Sequence, residues 1–414
     1  TRRALPKIEL HAHLSGSVRQ EFLLQLMKER GLETESSGLP FDCMDNLASA
    51  VDNCWLYFGK VAQLVTDLAT LRRCALHVLE CFAAEGCVYL EMRTSPKQFA
   101  MEGRAEKTSK EDYIRTVIDA IREFGGARGS DATPERAAPG ERMEARLLIS
   151  IDRTHIKSID DARAAVRDTA ALCAEFDDCV GIDICGNPHT MSVKPFLLPA
   201  LLEHAKAAPD FFQRFPITCH TGETPAQEEE TDLVIRSMGE LNIRRLGHVN
   251  YLTARQRQAV FERAAGWAAG GGDGVGIELC PTSNMVLKRD PDLRNHHFPL
   301  WYRRRPPAPA SVEAPLPRKR DFSSIGDDLG DEGRGVLVSI NSDDTGLFST
   351  SLSEELLKIA SAFDLTLADL LELQHAAAQS SFHRDKGTLR RRLRERPAHM
   401  RPAHMRTAAE PSAP

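Results

Sequence analysis

The feature that most constrains this chain is a repeated alternation of short apolar runs with longer segments of helical spacing. Eight runs rich in Val, Ile and Leu stand out: Ile8–His13, Val88–Pro96, Arg146–Asp152, Cys179–Gly186, Pro216–Glu223, Arg245–Val249, Val275–Asn284 and Val336–Asp344. Their apolar character is nearly continuous rather than alternating, which suits strands buried on both faces, as in parallel sheets. Helical spacing fills the intervals at Gln20–Arg30, Leu64–Ala84, Lys110–Phe124, Asp160–Phe176, Pro199–Ala207 and Thr253–Ala265. Eight alternations predict an α/β fold, a closed (β/α)8 TIM-type barrel, in preference to an open doubly wound sheet. In such a barrel the C-terminal strand ends share one rim, and active sites lie there.

With 414 residues, 42% of them hydrophobic, the chain can build one large core. A single barrel domain is expected over residues 1–383, interrupted by two insertions, Arg128–Arg142 and Arg303–Gly335, rich in Gly, Pro, Ala and charge. From 384 to 414 the sequence reads as a low-complexity basic tail, with an Arg-rich stretch over 390–396 expected to be solvated. A formal net charge of −6 provides no global field for nucleic acid or anionic lipid. No apolar stretch approaches the ~20 residues of a membrane span, and no signal-peptide core opens the chain. The ten cysteines form no CxxC pair and fit a reducing compartment. A cytoplasmic monomer with a small-molecule substrate, and neither nucleic acid nor membrane as partner, is the expectation.

The runs end in chemically capable residues. His11 and His13 alternate on one strand, so both imidazoles point to the same side, into the barrel mouth. Two such nitrogens suit Zn2+; a pair of hydrogen-bonded core histidines is the plain alternative. His220-Thr221-Gly222-Glu223 adds a third nitrogen and, beyond a turn-permitting glycine, a carboxylate that burial would tune for general acid/base work. Glu223 in the first turn of a surface helix is the competing reading. Asp343-Asp344 places adjacent carboxylates at the last strand end, costly to bury without a cation or hydrogen bonds. His248 closes the sixth run and can orient a water. His11, His13, His220 and Asp343 together would hold one zinc ion and leave a position for water.

At this point the sequence resembles the adenosine/AMP deaminases, whose barrels are of the metal-dependent hydrolase kind. The resemblance rests on Pro6–Ser17, Gly181–Gly186, His220–Glu223, Arg245–His248, Leu279–Asn284 and Ser342–Asp344, in the family's order. Tyr89–Lys97, Ile151–Arg153, His296–Phe298 and Phe348–Ser353 are similar to its adenosine deaminase-like branch, which implies deamination of N6-methyl-AMP. It also implies zinc on His11, His13, His220 and Asp343, Glu223 passing a proton to the purine ring, and His248 orienting and helping to deprotonate the water. Substrate contacts are implied for His13, Ser15, Arg93, Thr94, Ser95, Pro96 and Asp152, for the Gly186 N–H, and for Asp344 on the five-membered ring. Two departures are visible: Ser15 stands where that branch often has Asn, and Tyr57–Leu64 lacks an expected histidine. Deamination of adenosine, adenine or AMP is the alternative, and a nucleotide-binding pseudoenzyme a more distant one.

Overall fold

The computed structural model describes residues 5–32, 50–101, 103–126, 143–302 and 335–394, with backbone alone for 50–52. Within them eight strands pair in chain order, all parallel: β1 (Lys7–His13), β2 (Cys87–Thr94), β3 (Glu144–Asp152), β4 (Cys179–Cys185), β5 (Ile217–Thr221), β6 (Ile243–His248), β7 (Val275–Leu279) and β8 (Val336–Ile340). This is the expected (β/α)8 barrel. Both insertions, apart from Gly335, lie outside the described residues.

The eighth contact closes the ring by different means. Ala12 bridges Asp343 in parallel and the His13 N–H donates to the Asp343 carbonyl at 3.1 Å. Below that point side chains take over. The Leu10 N–H donates to Asn341 Oδ1 at 3.1 Å, the Ser342 N–H to Glu9 Oε2 at 2.9 Å, and the Ile8 N–H to Gln374 Oε1 at 2.8 Å. Backbone donors at the seam are thus paired without a regular ladder.

Apolar side chains on the outer strand faces pack against the helices; Ile149, Ile182, Leu246 and Ile277 of the strands meet Val166, Leu201 and Val260 of the helices in one cluster. The barrel interior is charged. Arg93 pairs with Asp183 at 2.9 Å and Glu278 at 3.1 Å, while Arg245 pairs with Glu91 at 2.6 Å and Glu278 at 2.5 Å. All five are fully buried. Each cation and anion is therefore held by its neighbours, since removing one partner of a buried pair leaves an uncompensated charge.

Two expected elements have other bounds. The run Val275–Asn284 is a strand only to Leu279; Pro281 then opens a helix, Pro281–Lys288, because proline fits the first helical position and removes a strand donor. The helix expected over Leu64–Ala84 starts later, at Leu68, where the Asp67 carboxylate caps it through the Thr70 N–H at 2.7 Å, and a separate helix, Ala50–Leu64, precedes it.

The tail expectation, made for 384–414, needs correction up to Arg394, and 395–414 lie outside the described residues. Lys386–Arg394 is a helix whose Leu389 and Leu393, one turn apart, are buried against Ile8, Leu10 and Tyr89. Arg392 reaches Glu144 at 3.0 Å. The arginines made this stretch look solvated, whereas the two leucines at i and i+4 cover the underside of β1 and β2. Among the described residues every cysteine is a free thiol, and no helix is long and apolar enough to cross a membrane.

Candidate active site

The barrel mouth holds a cavity of about 430 Å3, within the range of small-molecule sites. Its floor is the expected constellation. His11 and His13 of β1, His220 of β5, His248 of β6 and Asp343 beyond β8 meet there. The Nε2 atoms of His11 and His13 lie 3.2 and 3.1 Å from His220 Nε2, and each lies 3.5 Å from Asp343 Oδ1.

The ring orientations explain what these distances mean. His11 Nδ1 faces the Glu278 carboxylate at 2.6 Å, and His220 Nδ1 faces the Ile184 carbonyl at 2.9 Å. Both partners are acceptors, so each Nδ1 carries a hydrogen, and in the neutral rings each Nε2 presents a lone pair. Two lone pairs facing each other at 3.2 Å repel in a buried site unless a cation lies between them. Glu278 and Asp183, which lies 3.2 Å from His220 Nδ1, fix His11 and His220 from below, as carboxylates commonly do behind metal-binding imidazoles. The chemistry of this donor set fits a divalent metal.

The backbone here is strained. His248, Val249 and Asp343 have φ of 63°, 47° and 59°, in the left-handed region that non-glycine residues avoid. Such strain concentrates where side chains must be aimed. Gly222, at φ 61°, turns the chain between His220 and Glu223, and a Cβ there would meet the Leu252 side chain at 2.5 Å. The Glu223 and Thr224 N–H groups both donate to Gln227 Oε1, at 2.9 and 3.0 Å. Arg153, fully buried, ties this turn to β4 and β5 by donating to the carbonyls of Cys185 and His220 and pairing with Glu230 at 2.8 Å.

Glu223 itself faces the cavity. Its Oε2 is buried with no hydrogen-bond partner among the described residues, and Oε1 lies 3.9 Å from His248 Nε2. Burial raises its pKa, against the opposing pull of His220 and Arg153. Burial likewise lifts Asp343 to about 6 and, with the Asp343 charge beside it, carries Asp344 well above the carboxylate range. Asp344 Oδ1 is another buried oxygen without a partner among the described residues, pressed against Gly16, where any Cβ would collide.

Of the other expected substrate contacts, Ser15, Thr94, Ser95, Asp152 and Gly186 line the cavity, and Pro96 does not. The Thr94 hydroxyl lies 2.9 Å from the Tyr113 hydroxyl, and Asp152 accepts the Thr154 N–H at 2.9 Å. Gly186 has φ 104°, and a Cβ there would lie 2.1 Å from Asp152 Oδ1. Arg93 also lines the cavity, and its guanidinium has other partners. Its guanidinium is turned into the barrel, spent on Asp183, Glu278 and the Leu10 carbonyl. Lys97, four residues further along the chain, lines the cavity as well.

Several functional positions were not foreseen. Glu278, Asp183 and Glu9 are lone carboxylates inside apolar runs, and that incongruity is the signal that marks them. Asn284 and His296 form a hydrogen-bonded set around His248. Trp55 and Phe58, on the helix Ala50–Leu64, wall the cavity.

Comparison with known proteins accords with this geometry. Residues 6–316 match the family model for adenosine deaminase. The chain belongs to the adenosine deaminase family. It is 30% identical over 399 residues to the N6-mAMP deaminase of Arabidopsis thaliana, covering 93% of this chain and 94% of that one. It is 28% identical to the N6-methyl-AMP deaminase of Danio rerio, covering 88% and 86%. Among solved structures it is similar to Arabidopsis ADAL complexed with IMP, with a TM-score of 0.68 at 27% identity, covering 95% of this chain and 97% of that one. Membership of the adenosine deaminase family makes this chain a hydrolytic deaminase, in a family that depends on a metal.

Proposed function

We propose that this deaminase hydrolyses the exocyclic C6–N bond of a purine nucleotide, with N6-methyl-AMP as substrate and IMP and methylamine as products. The observation that carries the chemistry is the convergence of His11 Nε2 and His220 Nε2 beneath a buried Glu223 carboxylate whose Oε2 accepts no hydrogen bond among the described residues. The substrate rests on the relatives: proteins named for N6-methyl-AMP and a similar structure holding IMP.

His11, His13, His220 and Asp343 would hold zinc. Nitrogens at about 2.0–2.1 Å from one tetrahedral ion stand about 3.3 Å apart, close to the separations in this cluster. When bound, the ion supplies Lewis-acid activation, lowering the pKa of a water from 15.7 toward about 7. The residues do the remainder. Glu223, whose raised pKa lets it both take and give a proton near neutrality, delivers one to the ring nitrogen beside C6 as the water oxygen bonds to that carbon. Asp344, kept neutral by burial, donates a hydrogen bond to the five-membered ring. The Gly186 N–H meets the opposite edge of the base. As the tetrahedral carbon collapses to the C6 carbonyl, the remaining hydroxyl proton passes to the amine nitrogen and methylamine leaves, so one water is consumed and one C–N bond broken.

A second reading, a nucleoside in place of a nucleotide, draws on Arg93, whose engagement with Asp183 and Glu278 removes one expected phosphate contact. The test is product formation from N6-methyl-AMP, AMP, adenosine and adenine in parallel, with metal content measured on the same sample. Turnover of N6-methyl-AMP well above the others supports the proposal; preference for adenosine overturns the nucleotide assignment.

A further inference from the structure

Four imidazoles converge on the cavity floor, and the structure distinguishes the fourth from the others. His248 Nδ1 lies 3.2 Å from the Asn284 side-chain nitrogen. Which atom of that pair bears the hydrogen depends on how the Asn284 amide is turned, and two other contacts decide it. The Cys280 backbone N–H, a donor only, points at Asn284 Oδ1 at 3.1 Å. His296 Nε2 also lies on that oxygen, at 3.0 Å, and its role is fixed in turn. The Phe298 backbone N–H donates to His296 Nδ1 at 2.9 Å, so the His296 hydrogen sits on Nε2. Asn284 Oδ1 therefore accepts twice, its nitrogen donates to His248 Nδ1, and the hydrogen of a neutral His248 is driven to Nε2. The whole set is buried. His297 adds a clamp by donating from Nε2 to the His248 carbonyl at 2.7 Å, holding the strained backbone in place.

We infer that Asn284, backed by His296, is a positioning residue that holds His248 as the Nε2–H tautomer, so that His248 meets the attacking water oxygen as a hydrogen-bond donor. The inference rests on the deaminase reading of this site. It keeps His248 out of the metal-ligand set, because a nitrogen that bears hydrogen has no lone pair to give. It also alters the role implied by the resemblance: His248 Nε2 does not take the proton of the water. That proton passes to Glu223, whose Oε1 lies 3.9 Å from His248 Nε2, and Glu223 delivers it to the purine ring. One O–H bond breaks, one ring N–H bond forms, and His248 ends as it began.

The experiment is nitrogen-15 NMR of the metal-loaded protein labelled on histidine, with His248 assigned by difference against a His248→Gln sample. The expected spectrum has Nδ1 without hydrogen and Nε2 with it; the opposite pattern overturns the inference whatever the variants do. Asn284→Asp keeps an acceptor toward Cys280 and His296 but presents His248 with an acceptor as well. It should move the hydrogen to Nδ1, lower kcat by on the order of 10²-fold or more and leave zinc content unchanged. A flipped ring with unchanged kcat would overturn the donor role. Should Asn284→Asp not fold, His296→Gln offers a second probe, expected to lower kcat less with KM and zinc content intact. Failure of the wild-type protein to deaminate any purine, with the Nε2–H tautomer present, would instead reject the function and leave the relay standing.

Discussion

Glu278 Oε2 and His11 Nδ1 lie 2.6 Å apart, both fully buried, and this contact joins the charged barrel interior to the proposed metal site. The same carboxylate pairs with Arg93 and Arg245. The orientation of a ligand imidazole and the neutralisation of two buried arginines are thus assigned to one side chain.

Replacing Glu278 with Gln should therefore act on two measurements. Metal affinity, read by chelator competition, should fall about 10- to 100-fold, the range for loss of a carboxylate behind a ligand histidine. Stability, read by denaturant unfolding, should fall by about 3–5 kcal/mol, because Arg93 and Arg245 lose a buried counter-charge. Unchanged metal affinity would show that His11 is oriented by other means.

Glu223→Gln retains the shape of the turn and leaves the metal residues alone. Zinc content should match the wild type while kcat falls by about 10²–10⁴-fold, the loss typical of a positioned proton-transfer group. Retained turnover would refute the proton role.

Arg93 and Lys97 should separate by the parameter each affects. Lys97→Met should raise KM for N6-methyl-AMP about tenfold and leave adenosine kinetics unaltered, since a cation on the cavity rim matters only to a charged substrate. Arg93→Met should reduce stability and metal content with any substrate, for its partners lie inside the barrel. A selective KM effect at Arg93 would reverse this assignment.

His296 links stability to pH. Burial lowers its pKa from the ordinary 6.5 to about 3, so between those values the unfolded chain binds a proton that the folded one excludes. Its contribution is present above pH 6.5 and is lost as the pH falls toward 3, at up to about 1.4 kcal/mol per pH unit. Unfolding free energies at pH 7.0 and 5.5 should therefore differ less in His296→Gln than in the wild type. Equal differences would mean that this imidazole stays neutral in both states or titrates freely in both.

Much of the site was legible because strand ends in a barrel face one rim, so that polar residues closing apolar runs point to a common place. His11, His13, His220, His248 and Asp343 were found in this way. Periodicity could not reveal what the interior positions do. Arg93 ends a strand beside chemically capable neighbours, yet its length lets it turn inward to Asp183 and Glu278. The same averaging hid Glu278 within an apolar run and joined Asn284 to a strand, although Pro281 begins a helix there. The Arg-rich 386–394 helix was masked by its own charge, since two leucines suffice to dock it. Relations such as Asn284 to His296 depend on side-chain distances that spacing in sequence does not encode.

The seam between β1 and β8 has a temporal consequence. Leu10 and Asn341 are paired across 331 positions, and the metal cluster spans the same junction, with His11 and His13 on one side and Asp343 on the other. During synthesis on the ribosome the first histidines must wait for almost the entire described chain to emerge before their fourth partner exists. A nascent barrel ending before β8 would leave the edge of β1 open and lack Asp343, so the full set of proposed metal ligands exists only once the last strand has emerged.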